Sequence, residues 1–141
     1  MGYGHVADKV RNDSRVSLLE RTNLRHLSAD EIGGACVQLF TLDLSFISVL
    51  KVLPTVCAVA AANGSVQAVV LVKPQFEVGT EAVGKGGVVR EAAARSAAVQ
   101  KVIDGFAAEG WISRGVVESP VRGAKAGNIE YLAHFVRRAE Q

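Results

Sequence analysis

Residues Val66–Glu77 read V-Q-A-V-V-L-V-K-P-Q-F-E, and this stretch decides the fold. It opens as a run of β-branched and aliphatic residues without alternation, the pattern of a strand buried on both faces of a parallel sheet. Lys73-Pro74 stop the run. Proline cannot donate to a β-ladder, so the chain leaves the sheet there. Lys73 therefore falls at the carboxyl end of a central strand, where open α/β sheets place their ligand sites. A lysine carried there by apolar residues is costly to bury without a partner, which points to chemistry. A strand-end lysine whose ammonium simply reaches water explains the same pattern.

On the amino-terminal side, Val6–Arg11 reads as a short helix and Arg15–Glu20 (R-V-S-L-L-E) as a strand. Ser28-Ala29-Asp30-Glu31 has capping-box spacing, and Gly33-Gly34 ends the brief helix it starts. Cys36–Leu44 is the next strand. Ser48 then caps a helix through about Ala62, with Pro54 in its first turn or at a kink, and Asn63-Gly64 closes it.

On the carboxyl-terminal side a glycine-rich loop leads to a helix over Glu91–Glu109. Its Val99, Val102, Ile103 and Phe106 form one apolar stripe, and Gly110 stops it. Trp111–Ser119 reads as a strand ended by Pro120, and Ile129–Val136 as the last one. Strands alternating with helices call for a mostly parallel sheet, and the short final link makes the last pair antiparallel.

With 141 residues, the chain reads as one α/β domain spanning 1–141. Its 49% hydrophobic content fits a packed core. The formal charge of +2 means that nucleic-acid contact needs a local patch. Cys36 and Cys57 lack metal-ligand spacing and read as small core residues of a reducing compartment. The histidines are scattered, so no metal site is expected. The apolar segment Val49–Ala62 is interrupted and too short to span a bilayer, and no signal peptide is visible. A cytoplasmic protein without a membrane partner is expected.

Two strands end on charged groups, Asp43 and Lys73, and the last begins at Asn128-Ile129-Glu130. If the last strand runs antiparallel, Asp43, Lys73 and Glu130 converge on one sheet edge. Such a group can activate a hydroxyl: a lysine of lowered basicity takes a proton while carboxylates orient it. An internal ion-pair network fits the same three residues. Gly79–Gly86 fits G-x-x-x-x-G-K but has glycine where a phosphate-binding loop needs Ser or Thr, and no helix follows. A nucleotide triphosphatase is excluded on this reading. A basic loop able to touch RNA phosphates and an ordinary mobile loop both remain open.

D-L-S-F-I-S (Asp43–Ser48), L-V-K-P-Q-F-E (Leu71–Glu77), V-G-K-G-G-V-V-R (Val83–Arg90), G-N-I-E-Y-L (Gly127–Leu132) and L-E-R-T-N-L-R (Leu19–Arg25) together resemble the TlyA group of FtsJ-like RNA methyltransferases. The resemblance spans essentially the whole chain. It implies a Rossmann-like class I methyltransferase sheet and transfer of a methyl group from S-adenosylmethionine to a ribose 2′-hydroxyl of ribosomal RNA. Of the group's Lys-Asp-Lys-Glu tetrad, it maps the Asp onto Asp43, the second Lys onto Lys73 and the Glu onto Glu130. It also puts Asn23 near the cofactor's adenosine, and Asp43 and Ser45 near its methionine end. Lys85, Arg90 and Lys125 are the RNA-contacting candidates.

Full-length members of the group also carry an RNA-binding domain, the first tetrad lysine and a glycine-rich cofactor loop, none of which this sequence contains. Met1-Gly2-Tyr3-Gly4 stands where relatives read V-G-Y-G after their second strand. A truncated or mis-started product is therefore expected. Of a sheet ordered 3-2-1-4-5-7-6, it would lack strands 1 and 2. Weak or absent cofactor binding follows, together with self-association through the open edge. A non-catalytic interaction module is the alternative. A membrane-active haemolysin, a label the group sometimes carries, has no spanning or strongly amphipathic basic segment behind it.

Overall fold

The computed structural model describes residues 3–138, so the start expected within Met1-Gly2 lies outside the described residues. After a one-turn helix α1 (Asp8–Arg11), the elements are β1 (Leu39–Leu42), α2 (Leu53–Val59), β2 (Ser65–Val72), α3 (Pro74–Glu77), α4 (Ala92–Ala108), β3 (Ile112–Glu118) and β4 (Tyr131–Arg138). Among the described residues the strands form one sheet in the order β1-β2-β4-β3. β1 and β2 are parallel, and β4 runs antiparallel to both β2 and β3. The sheet is thus mixed, with only its last strand reversed, and its order matches the 4-5-7-6 half of the expected sheet.

One face of this sheet is covered. Phe40 and Leu42 of β1 lie beside Ala68 and Val70 of β2, which lie beside Phe135 and Ala133 of β4. These side chains pack with Val52, Leu53, Val56 and Val59 around α2 and with Val102 and Phe106 of α4. Phe106 stacks on Phe135 with centroids 4.1 Å apart and meets Trp111 edge-on at 5.8 Å. Truncating such a ring costs about 3–5 kcal/mol. The expected α4 stripe is the packed one: Val102 and Phe106 are buried, and Val99 and Ile103 are partly so.

The other face corrects the reading of Val66–Val72 as a strand buried on both sides. Burial alternates along β2, with Val66, Ala68, Val70 and Val72 buried and Gln67 exposed. Both helices lie on one side of the sheet, so Val69 and Leu71 are only half-buried, and Leu39, Ile112 and Val117 on the same face are exposed. The apolar outward residues hid the alternation.

Three further expectations change. Arg15–Glu20 is not a strand: no ladder partner lies alongside it among the described residues. The Glu20 carboxylate instead accepts from Gly4 N–H and Arg11, while Asp13 and Arg15 close a local turn. The segment after Ser48 is a short turn of helix over Val49–Lys51 and then α2, which ends at Val59, with Pro54 in its first turn. Gly64 (φ +82°) belongs to the turn entering β2. The cysteines are not core residues in the full sense, since Cys36 is exposed and Cys57 half-buried at the core's margin. The Ser28–Glu31 capping box is formed, and Gly33 follows it at φ +83°.

Candidate active site

Strand direction brings the site together. β1 and β2 are parallel neighbours, so Asp43 and Lys73, the residues after them, leave the sheet at one edge. β4 is antiparallel, and its first residue, Tyr131, pairs with Val72. Glu130 therefore enters at that edge too. Lys73 Nζ lies 2.7 Å from Asp43 Oδ1 and donates to Ser45 Oγ at 3.1 Å. The lysine side chain is only 13% exposed and its partner 72%, so the pair has one dry and one wet member.

Glu130 is buried, and its Oε1 accepts from Gln75 Nε2 at 3.2 Å. Gln75 Oε1 is buried with no partner. Pro74 begins α3 with its fixed φ, and this one turn carries Gln75 and Phe76 to the edge. Lys73, Gln75, Glu130, Ser45, Phe46 and Lys125 line a cavity of about 420 Å³. Gly123 leaves room for the carboxylate there, because a Cβ would stand 2.8 Å from Glu130 Oε1.

Phe46 is the least ordinary residue of the wall. It has φ +64° and is 77% exposed. A bulky residue in this region costs about 1–3 kcal/mol and persists only where its surroundings hold it. Its ring centroid lies 5.3 Å from that of Phe76, and Lys125 Nζ sits over the Phe46 ring 5.3 Å from its centroid. Below the pair, the buried Glu77 carboxylate accepts from Ser48 Oγ at 2.6 Å and Val49 N–H at 2.8 Å. This ties the loop after β1 to the turn after β2. Asn128, also buried, accepts from Val89 N–H and donates to Gly87 O, pinning the glycine loop to the start of β4.

A sequence-family profile described as FtsJ-like methyltransferase matches residues 1–137. The chain belongs to the FtsJ-like methyltransferase family. It is 47% identical over 132 residues to the 16S/23S rRNA (cytidine-2'-O)-methyltransferase TlyA of Mycobacterium tuberculosis, covering 94% of this chain and 48% of that protein. It is 40% identical to the putative rRNA methyltransferase YqxC of Bacillus subtilis, over 96% of this chain and 47% of the relative. The chain thus spans about half the length of the curated relatives it matches. A putative hemolysin from Streptococcus thermophilus has the same fold at TM-score 0.89 and 34% identity, over 97% of this chain and 48% of that one. One from Lactococcus lactis gives 0.87 and 33%, over 99% and 66%. Among the described residues no helix is long and apolar enough to cross a membrane.

Of the residues singled out in the sequence, Asp43, Ser45, Lys73, Lys125 and Glu130 gather at this edge. Three do not. Asn23 caps the turn Leu24–His26, its side-chain oxygen accepting from Arg25 N–H. Lys85 is exposed beside the cavity-lining Gly86, and Arg90 lines a separate cleft with Glu81 and Glu91. Gln75, Phe46, Phe76, Glu77 and Asn128 were not anticipated individually. All five lie inside the quoted motifs or next to their charged members.

Proposed function

We propose that this chain forms the acceptor half of an RNA ribose 2′-O-methyltransferase site. The Asp43–Lys73 pair, whose lysine lines the cavity, carries the reading. An ammonium held by a carboxylate is a positioned hydrogen-bond donor, so Lys73 orients the oxygen of a ribose hydroxyl more readily than it removes the proton. Asp43 and Ser45 fix the lysine, and Glu130 with Gln75 forms the opposite wall. An exposed aromatic at the rim supplies a stacking surface for a base, worth about 1–3 kcal/mol. Phe46 fits that role, and Lys125 beside it, Lys85 and Arg90 are the candidate phosphate contacts.

The family's methyl donor is S-adenosylmethionine, which supplies an electrophilic methyl group when bound. The residues present fit it only in part. Asp43 and Ser45 would hold its methionine end beside the acceptor. The Asn23 side-chain oxygen is taken by the turn it caps, and among the described residues β1 is the edge strand of the sheet, paired with β2. Weak donor binding is proposed on that ground, with activity confined to a small fraction of that of a full-length relative.

The substrate proposed is ribosomal RNA, met in the cytoplasm. The test is binding of a labelled single-stranded oligoribonucleotide and its 2′-deoxy counterpart. The ribose form binds more tightly, and Lys73→Ala removes the difference. Equal affinity of the intact chain for both forms contradicts the proposal. A second reading, an interaction module that associates with itself, is favoured by the uncovered sheet face bearing Leu39, Ile112 and Val117. Sedimentation of the chain at rising concentration tests it, a constant monomer mass being the contrary result.

A further inference from the structure

A second cavity of about 420 Å³ lies behind the Phe46–Phe76 pair and shares both rings as a wall with the first. Its other lining residues include Arg25, Lys51 and Lys101, which are far apart in sequence. The fold fixes each one separately. Arg25 sits in the turn capped by Asn23, and Thr55 Oγ1 donates to its carbonyl at 3.3 Å. Lys51 ends the helical turn whose first N–H is held by Glu77. Lys101, on α4, donates to Glu77 O at 2.7 Å.

Three cations thus face one carboxylate, and that carboxylate is buried and already occupied by Ser48 and Val49. The ion pairs among the described residues are Arg11–Glu20, Arg15–Asp13 and Lys73–Asp43, none of which takes up a cation of this cavity. Three cations against one carboxylate that is already hydrogen-bonded leave a net positive potential that attracts an external anion. The cavity also shares the Phe46 and Phe76 rings with the acceptor cavity.

We infer that this cleft binds the phosphates of the RNA strand next to the nucleotide held at Lys73. The inference rests on the acceptor-site reading and extends it. The strand passes over the exposed Phe46 ring, one nucleotide on the Lys73 side and the adjoining phosphates on the Arg25–Lys51–Lys101 side. Shape and charge suit a single strand, whose backbone bends around an aromatic wedge and is neutralised by flexible cations.

The test is the salt dependence of binding for a fluorescein-labelled, mixed-sequence single-stranded oligoribonucleotide. Each phosphate contact on a single strand contributes about 0.7 to the slope of log affinity against log salt. The double variant Arg25→Gln, Lys51→Gln is expected to lower that slope by about 1.4, whereas Lys51→Arg keeps it. Lys101 is left intact because it also holds the Glu77 carbonyl, and the variants' thermal midpoints report whether they remain folded. A folded double variant with the parental slope overturns the inference, as does an intact chain that binds no RNA. The ribose-over-deoxyribose preference, read in the same titrations, separates the two proposals. Preference with an unchanged slope removes only the cleft, and a lowered slope without preference removes only the acceptor reading.

Discussion

The ammonium of Lys73 lies 2.7 Å from Asp43 Oδ1 across the ends of two parallel strands, and the two groups differ sharply in exposure. Because Asp43 faces water, the pair's share of stability is small, about 0.2–1 kcal/mol. Its proposed role in catalysis is larger. Lys73→Ala is expected to lower methyl transfer by about 10²–10³-fold while moving the urea midpoint little. A large loss of stability with preserved transfer would reverse that assignment.

Glu130 has Gln75 as its side-chain partner among the described residues. Gln75→Ala removes a hydrogen bond to a buried carboxylate and also an orphaned amide oxygen. The net cost expected is about 1–2 kcal/mol, read by urea denaturation. Gly123→Ala attacks the same carboxylate from the other side, since its Cβ would stand 2.8 Å from Oε1. It is expected to displace Glu130 and weaken ribose discrimination; unchanged discrimination would count against Glu130 as a wall of the site.

Glu77 braces the two loops that carry Phe46 and Phe76. Both carboxylate oxygens are used, one by Ser48 and one by Val49. Glu77→Ala is expected to cost about 2–4 kcal/mol, from two bonds to a charged acceptor and the group left unpaired. Glu77→Gln keeps one donor-compatible oxygen and is expected to cost less. Equal, negligible losses in both variants would show that the brace contributes nothing.

Acid is expected to loosen the amino-terminal segment before the sheet. The side-chain bond from Arg15 and its backbone N–H hold Asp13 below the usual carboxyl range, Arg11 and the Gly4 N–H do so for Glu20, and the backbone and hydroxyl of Ser28 for Glu31. Carboxyls lowered by folding contribute stability that is present above their unfolded values, near 4, and lost as pH falls through the folded ones. Hydrogen exchange should therefore rise in residues 4–34 first as pH drops through that range. Uniform loss of protection along the chain would contradict this order.

How much of this was legible in the sequence depended on what kind of contact was involved. Asp43, Lys73 and Glu130 could be placed together because proline and polarity mark strand ends, and direction then decides which ends meet. Gln75 reaching Glu130 and the left-handed Phe46 are side-chain and backbone details at a loop edge, which no periodicity encodes. Arg15–Glu20 has strand-like residues, but a strand also needs a hydrogen-bonding neighbour, and polar side chains nearby took its backbone and carboxylate instead. The uncovered sheet face was hidden because Val69 and Leu71 are as apolar as the buried Ala68, Val70 and Val72 with which they alternate.

The most direct measurement is transfer of a labelled methyl group from S-adenosylmethionine to ribosomal RNA by this chain, with nucleoside mapping of the label. The account predicts slow labelling confined to a ribose 2′-oxygen, requiring high donor concentration and abolished by Lys73→Ala. Label on a base atom, transfer indifferent to Lys73, or no transfer by the folded chain at saturating donor would contradict it.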